Sequence, residues 1–99
     1  MEMGILDGEV ADIFQINSLY PNPFNSVLNI DLYVNEPLNN VRLDLISLTG
    51  RVILTRSIVS LGIGQLNLSL DISDQISSGC YLLRISSPVK TITRKVFII

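Results

Sequence analysis

Apolar and polar residues alternate along most of this chain. Residues 27–34 read VLNIDLYV, so that every second side chain, from Leu28 to Val34, is apolar and falls on one face. This period of two is the pattern of a half-buried β-strand. Residues 41–48, VRLDLISL, repeat it with Arg42 and Asp44 facing outward. Similar runs recur at FQINSLY, VILTRSIVS, QLNLSLD, CYLLRIS and KTITRKVFII.

Turn-forming residues separate these runs. The segment NEPLNN breaks the alternation with one proline and three asparagines. In LTGRV, Gly50 accepts a positive φ at little steric cost, which predicts a tight reversal centred on Thr49 and Gly50. The glycines of LGIGQ mark another turn. The polar segment DISDQISSG suits a connection that crosses between sheets and places Ile72 and Ile76 under the core.

The fold class follows from this spacing. We count seven or eight strands, counting FQINSLY as a first short one, and no helix of ten residues in a chain of 99 residues. Turn signals about every 8–12 residues predict an all-β protein, an immunoglobulin-like antiparallel β-sandwich. The Cys…Trp…Cys signature of true immunoglobulin domains is absent, because the chain has one Cys and no Trp. We expect Cys80 to be a buried small hydrophobe.

The stretch YPNPFN opens the first long strand with two prolines. Each proline fixes its own φ near about −65° and biases the preceding residue toward extended conformations. We expect a stiff bridge in which Tyr20 and Phe24 seal the end of the sandwich. Asn22 and Asn25 would hydrogen-bond backbone groups left free by the prolines. Ligand stacking on either aromatic ring is the alternative.

Charge and composition exclude several classes of function. Residues 1–40 hold six acidic and no basic residues, and residues 41–99 hold seven basic and three acidic ones, so the net charge of −2 hides a basic second part. The basic residues near the end lack the interleaved aromatics of nucleic-acid binding proteins, so we expect no nucleic-acid partner. The amino-terminal residues lack the basic start and apolar stretch of a secretory signal peptide.

Catalytic chemistry finds no support either. The chain has no histidine, which rules out Ser-His-Asp and Cys-His arrangements and leaves no zinc ligand set. Asp31 and Asp44 fall on outward faces and are expected to be solvated. Oxygen ligands for calcium are faintly suggested in LDGEVAD by Asp7, Glu9 and Asp12, but the spacing does not complete an EF-hand loop. We therefore expect no catalytic residues, no metal, no cofactor and no small-molecule substrate.

Four blocks, in order, resemble a known family. They are YPNPFN at 20–25, LISLTGRVI at 45–53, LDISDQISSGCYLLRI at 70–85 and KVFII at 95–99. Together they are similar to the type A C-terminal sorting domain of proteins exported by the type IX, or Por, secretion system. Ser47 departs from the Asp or Asn that often precedes the family's Gly-Arg turn. The residues that match the family pattern are Tyr20, Pro21, Asn22, Pro23, Phe24, Asn25, Gly50, Arg51, Asp71, Ser73, Gly79 and Tyr81, together with Lys95 ahead of the apolar end.

The resemblance implies a non-enzymatic secretion signal. Such a domain follows a larger cargo domain, which passes through the periplasm of a Gram-negative bacterium. The outer-membrane translocation machinery then recognises the folded signal, and a surface sortase removes it, leaving the cargo secreted or on the cell surface. Residues 14–99 would form the sorting domain. Residues 1–13 would be the tail of a linker or an extension added at expression.

The last strand has two interpretations that the sequence leaves open. An edge strand offers unpaired backbone groups, so the translocation machinery could bind Lys95, Val96, Phe97, Ile98 and Ile99 by β-strand addition. The same residues could simply close the core, and edge strands could also pair in a dimer. The competing class of function is a passive immunoglobulin-like accessory, adhesion or carbohydrate-binding module, for which the outward aromatics Tyr33 and Phe97 are thin support.

Overall fold

The computed structural model describes residues 13–23, 25–72 and 76–99. Within these residues it is an all-β structure of seven strands, as the alternation predicted. The first short strand coincides with FQINSLY. The strands are β1 (Phe14–Tyr20), β2 (Val27–Val34), β3 (Leu38–Ser47), β4 (Val52–Leu61), β5 (Gly64–Asp71), β6 (Gly79–Ser86) and β7 (Thr91–Ile98).

The strands form two antiparallel sheets packed face to face. One sheet has three strands in the order β1-β2-β5, and the other has four in the order β4-β3-β6-β7. The chain changes sheet between β2 and β3, between β4 and β5, and between β5 and β6. The last of these crossings is the connection that the sequence predicted to pass between sheets. This arrangement confirms the β-sandwich.

The inward faces of both sheets form one hydrophobic core. Leu28, Ile30, Leu32 and Val34 of β2 are fully buried, as the period of two required. The alternating residues of β3 and β6 pack against them from the other sheet. Ile72 is buried in the core and Ile76 packs against it, as expected for the connection after β5.

The turn between β3 and β4 is built by Ser47 and Gly50. The Gly50 N–H donates to the Ser47 carbonyl at 2.9 Å, and Gly50 has a φ of +92°. The Ser47 hydroxyl accepts the Arg51 N–H at 3.1 Å. Ser47 therefore provides the side-chain acceptor that Asp or Asn provides in turns of this kind.

Strand β3 begins earlier than the turn residues suggested. It starts at Leu38, so that Leu38, Asn39 and Asn40 of NEPLNN belong to a strand. Asn40 keeps a left-handed backbone with a φ of +57°, which asparagine tolerates better than most residues. Leu38 is buried, and its burial in the core extends the strand through residues of low strand propensity.

Tyr81 ties the crossing connection to the second sheet. Its ring is buried at the start of β6, and its hydroxyl donates to the Ser77 carbonyl at 2.7 Å. A tyrosine near the start of this strand, bonded to backbone a few residues upstream, is the tyrosine corner of immunoglobulin-like sandwiches. Gly79, two residues earlier, has a φ of +151°. The Gly-x-Tyr step thus has a structural role that composition alone did not reveal.

Candidate functional site

The motif residues of the four-stranded sheet meet at one end of the sandwich. In antiparallel pairs the end of one strand lies beside the start of the next. Ser47 at the end of β3 pairs with Tyr81 near the start of β6. Gly79 at the start of β6 pairs with Ile98 near the end of β7. The turn with Gly50 and Arg51, the Gly-x-Tyr step and the last strand are therefore neighbours.

The three-stranded sheet brings its motif residues to the same end. The backbone N–H of Phe97 donates to Asn22 Oδ1 at 3.0 Å, which joins the YPNP stretch to β7. At the far side of this sheet Asp71 pairs with Val27, and the Ile72 N–H donates to the Ser26 carbonyl. We call this end of the molecule the motif end and define it by residues 20–23, 25, 47–51, 71–72, 79–81 and 95–99. Phe24 and Ser73 lie outside the described residues.

The last strand alternates between core and surface. Val96 and Ile98 are buried in the core, whereas Lys95, Phe97 and Ile99 are exposed. Phe97 lies on the outer face, 43% exposed, as strand parity predicted. The strand therefore closes the core through one set of side chains and presents the other to solvent.

Apolar side chains cross the outer face of the four-stranded sheet at the motif end, from Phe97 on one edge strand to Val52 on the other. Cys80 pairs with Phe97, and Leu82 pairs with both Lys95 and Ile46. Cys80 is half-buried on this face, which corrects the expectation of a fully buried residue. Its position follows from strand parity, since its neighbour Tyr81 takes the inward place. Further apolar residues exposed at this end are Leu48, Val52 and Ile99.

An ion-pair network lies next to this apolar surface. Asp44 Oδ2 accepts from Arg84 Nη2 at 2.8 Å and from Arg42 Nε at 3.1 Å. Asp44 Oδ1 accepts from the Thr55 hydroxyl at 2.8 Å. Asp44 faces outward as predicted, but it is only 1% exposed, so the expectation of a solvated carboxylate is wrong. The side chains of the two neighbouring strands cover it.

The electrostatics of Asp44 follow from these contacts. Burial of the carboxylate raises its pKa, because desolvation disfavours the charged form. The hydrogen bonds from Arg84 and Thr55 and the charge of Arg42 outweigh that effect and hold the pKa below its usual value. Asp44 is therefore a structural anion, and it has no feature of a general acid.

The outer face of the three-stranded sheet carries a polar network. Asp31 accepts hydrogen bonds from Ser18 and Asn67, and the Asn67 amide also donates to the Tyr20 hydroxyl at 3.0 Å. Tyr20 is 44% exposed, so the expectation that it seals the end of the sandwich is wrong. The physical reason is that β1 continues through Tyr20, which pairs with Asn29 and therefore faces outward. Tyr33 faces outward as predicted.

Candidate sites for other chemistry are few. In the parts of the chain that the structure describes, no group of three or more His, Cys, Asp or Glu residues could hold a metal ion. Asp7, Glu9 and Asp12 lie outside those parts. Among the same residues no helix is long and apolar enough to cross a membrane. A groove of about 410 Å³, lined by Arg42, Ser57 and Ser86 among others, lies on the four-stranded sheet away from the motif end.

Comparison with known proteins identifies the family of this chain. The family model described as "Secretion system C-terminal sorting domain" matches residues 18–99, most of the chain. The chain belongs to this family. No curated protein matches it.

A solved structure gives independent support for the fold of this sorting domain. The chain is similar to the crystal structure of dimeric latent PorU from Porphyromonas gingivalis, with a TM-score of 0.69 and 21% sequence identity. The match covers 98% of this chain and 10% of that one, so the sorting domain corresponds to a small part of PorU. At this identity the likeness shows the β-sandwich fold.

Membership in the family shows the function of this domain. The sorting domain is a C-terminal signal that directs cargo through the type IX secretion system, and the family is one of non-catalytic signals. The protein that carries it is therefore secreted or held at the cell surface.

Two features of the site were not visible in the sequence. An asparagine in YPNP was expected to bond backbone, but the partner, Phe97, lies 75 residues further along the chain. The pairing of Asp44 with Arg84 was not foreseen, although both side chains were on predicted strands. The register of β3 with β6 decides the Asp44 contact, and the packing of the loop after β1 against β7 decides the Asn22 contact; the alternation encodes neither.

Proposed function

We propose that the sorting domain presents its signal at the motif end and that residues 95–99 are the recognition element. In this proposal the partner is the outer-membrane translocation machinery, and a surface sortase afterwards removes the domain. The cargo precedes residue 14 and reaches the outer membrane through the periplasm. Residues 14–99 form the domain, in agreement with the full burial of the Phe14 side chain at the first strand residue.

One observation carries this proposal. The family motif residues that the structure describes lie on different strands and loops, yet they converge at one end of the sandwich. Core packing alone would not require this, because core residues extend along the full length of every strand. A shared surface at one end is what a receptor that recognises the folded domain would need.

Residues 95–99 suit the role because they offer chemistry to a partner. Lys95 and Phe97 point outward on the edge strand, next to Leu82 and Cys80 of β6, so the surface combines a cation with apolar area. Exposed aromatic side chains such as Phe97 are enriched in protein interfaces, where they often supply much of the binding energy. Truncation of the last strand would be a poor test, since it also removes Val96 and Ile98 from the core.

The experiment uses outward-facing substitutions in a reporter fusion. Residues 14–99 are fused behind a fluorescent reporter with a signal peptide, in a host that has type IX secretion. We expect the native domain to direct the reporter outside the cell, and the double variant Lys95→Glu, Phe97→Ser to leave it in the periplasm. Val59→Ser is the matched control, because Val59 is 83% exposed on the same sheet at the opposite end.

The outcomes separate the two interpretations of the last strand. The thermal midpoint of each variant is measured first, so that unfolding is not mistaken for lost recognition. If the folded double variant is exported as well as the native domain, residues 95–99 only close the core. If the native domain itself directs no export, the domain does not act alone as the signal.

A further inference from the structure

The free edge of β7 differs from the other edges of the sandwich. Within the described residues, β1 and β4 each have a register shift in their pairing, and such bulges disturb an edge. Strand β5 is regular, but Arg56 reaches over from β4 and donates to the Ser69 carbonyl. Strand β7 pairs with β6 over eight residues without a shift. It is therefore the regular edge on which an added strand would fit best.

The Asn22 contact fixes which backbone groups face this edge. Because the Phe97 N–H bonds to Asn22, it points away from β6. In an antiparallel pair the outward groups recur at every second residue, so Thr91, Thr93 and Lys95 also direct their N–H and C=O groups outward. Two of these groups are already occupied, the Phe97 N–H by Asn22 and the Thr93 carbonyl by Arg94 Nη1 at 3.3 Å.

Asn22 occupies the position that a carbonyl of an added strand would take. A side-chain amide oxygen accepts a backbone N–H much as a main-chain carbonyl does. At the other end of β7, Lys90 Nζ donates to the Phe14 carbonyl at 3.4 Å, so side chains bridge the two sheets near both ends of this strand. The edge groups of Thr91, Thr93 and Lys95 lie between these two bridges.

The charge of this edge determines which kind of strand can pair with it. Strands β6 and β7 carry Arg84, Arg94 and Lys95 and no acidic residue, and within the described residues only Arg84 is paired with a carboxylate. Pairing of two copies of β7 would place Arg94 and Lys95 of each copy on one ribbon without a carboxylate. Like charges across a strand pair are destabilising, whereas opposite charges stabilise it. A second copy is therefore disfavoured, and an acidic strand is favoured.

We propose that the edge of β7 over residues 91–97 binds an extended acidic strand of a partner protein, and that Asn22 is a cap that competes with this strand for the Phe97 N–H. This inference rests on the proposed role of the last strand in recognition. To that role it adds the geometry of binding and the charge of the partner. It also gives the asparagine of YPNP a function in binding. The cap keeps the Phe97 N–H paired until a matching strand displaces it.

The test uses the 99-residue chain and short peptides, without the secretion machinery. The probes are a blocked peptide of about eight residues that alternates valine with glutamate, and the matching valine and lysine peptide. We expect the glutamate peptide to shift the amide resonances of residues 91–97, and the lysine peptide to leave them unchanged. Asn22→Ala should bind the glutamate peptide about fivefold more tightly, the equivalent of one net hydrogen bond.

Two further variants keep the test independent of folding. Asn22→Asp retains an acceptor and should resemble the native chain in amide exchange at Phe97, whereas Asn22→Ala should exchange faster. Asn25→Ala is the matched control, because Asn25 Oδ1 accepts only from Ser26 among the described residues. Equal peptide affinity of the native chain and Asn22→Ala, equal binding of both peptides, or a dimer through β7 in sedimentation would each overturn the proposal.

This result is separable from the export experiment. If the Lys95→Glu, Phe97→Ser variant loses export while Asn22→Ala changes neither exchange nor peptide binding, the cap is wrong and the recognition element stands. If the peptide results hold but outward substitutions do not affect export, the edge binds acidic strands and the proposed recognition role of residues 95–99 is wrong.

Discussion

Asp44 and Arg84 form an ion pair of 2.8 Å between neighbouring strands of the four-stranded sheet. The pair lies on the outer face of the sheet, yet the carboxylate has almost no contact with solvent. Arg42 and Thr55 complete the set of donors, so that β3, β4 and β6 are joined through one side chain. The network therefore holds the register of three strands whose ends carry motif residues.

Replacing Asp44 should weaken the whole sheet. Asp44→Asn removes the charge that Arg84 and Arg42 share and leaves donors without an ionised acceptor. We expect a loss of about 2 kcal/mol in the free energy of unfolding, less than the roughly 3–5 kcal/mol for a fully buried pair, because both arginines are partly exposed. Urea unfolding measures it. Asp31→Asn is the control, since Asp31 is more exposed, and a cost equal to that of Asp44→Asn would contradict this account.

The same carboxylate should make stability depend on pH. Because its pKa is lowered in the folded state, protonation favours the unfolded chain. The contribution is complete above the unfolded pKa of about 4 and is lost as the pH falls through the lower folded value. We expect the stability difference between the native chain and Asp44→Asn to shrink as the pH falls from about 5 to about 2. A difference that stays constant over this range would show that Asp44 does not titrate with unfolding.

The hydroxyl of Tyr81 should contribute to stability through its bond to Ser77. Tyr81→Phe keeps the buried ring and removes the donor to the Ser77 carbonyl. We expect a cost of about 1 kcal/mol and faster proteolysis of residues 76–78, because the connection loses its tie to β6. Tyr33→Phe is the matched control on an exposed ring. Equal stability of the two variants would mean that the tyrosine corner does not stabilise this sandwich.

Substitution of Gly50 should lower the stability because of its backbone conformation alone. Its φ is +92°, and a Cβ placed there would meet nothing within 4 Å. Gly50→Ala should therefore cost about 1 kcal/mol or more through strain, without any steric clash. Gly62 has similarly open space and no positive φ, so Gly62→Ala should be neutral or slightly stabilising. Comparable thermal midpoints for both variants would argue against strain at the turn.

The alternation of side chains was enough to predict the strands and their buried faces. Leu28 and its partners on β2 are in the core because a strand with one apolar face has one stable orientation. Where the prediction failed, a neighbouring strand decided the outcome. Asp44 is covered because register sets Arg84 and Thr55 beside it, and Tyr20 faces outward because the register shift between Ile16 and Ser18 reverses the alternation of β1.

The convergence of the motifs could not be read from the chain either. Spacing along the sequence does not indicate that Asn22 and Phe97 meet, since that contact joins the two sheets. The resemblance to sorting domains supplied the motif residues, and the antiparallel order of the strands supplied their common location. The location of the candidate site therefore had to be inferred from the motifs and the strand topology together. The periodicity alone predicted only the fold.

Neighbouring residues of the last strand should separate folding from recognition. Val96 is fully buried and Phe97 is 43% exposed, although they are adjacent. Val96→Ala should cost about 2 kcal/mol, because it leaves a cavity in the core. Phe97→Ala should change stability by less than about 0.5 kcal/mol, as surface substitutions usually do, and yet reduce export of the reporter. Urea unfolding and the export assay on the same variants check this. If Phe97→Ala lowers stability as much as Val96→Ala does, its side chain belongs to the core, and lost export would then reflect unfolding rather than a missing contact with the secretion machinery.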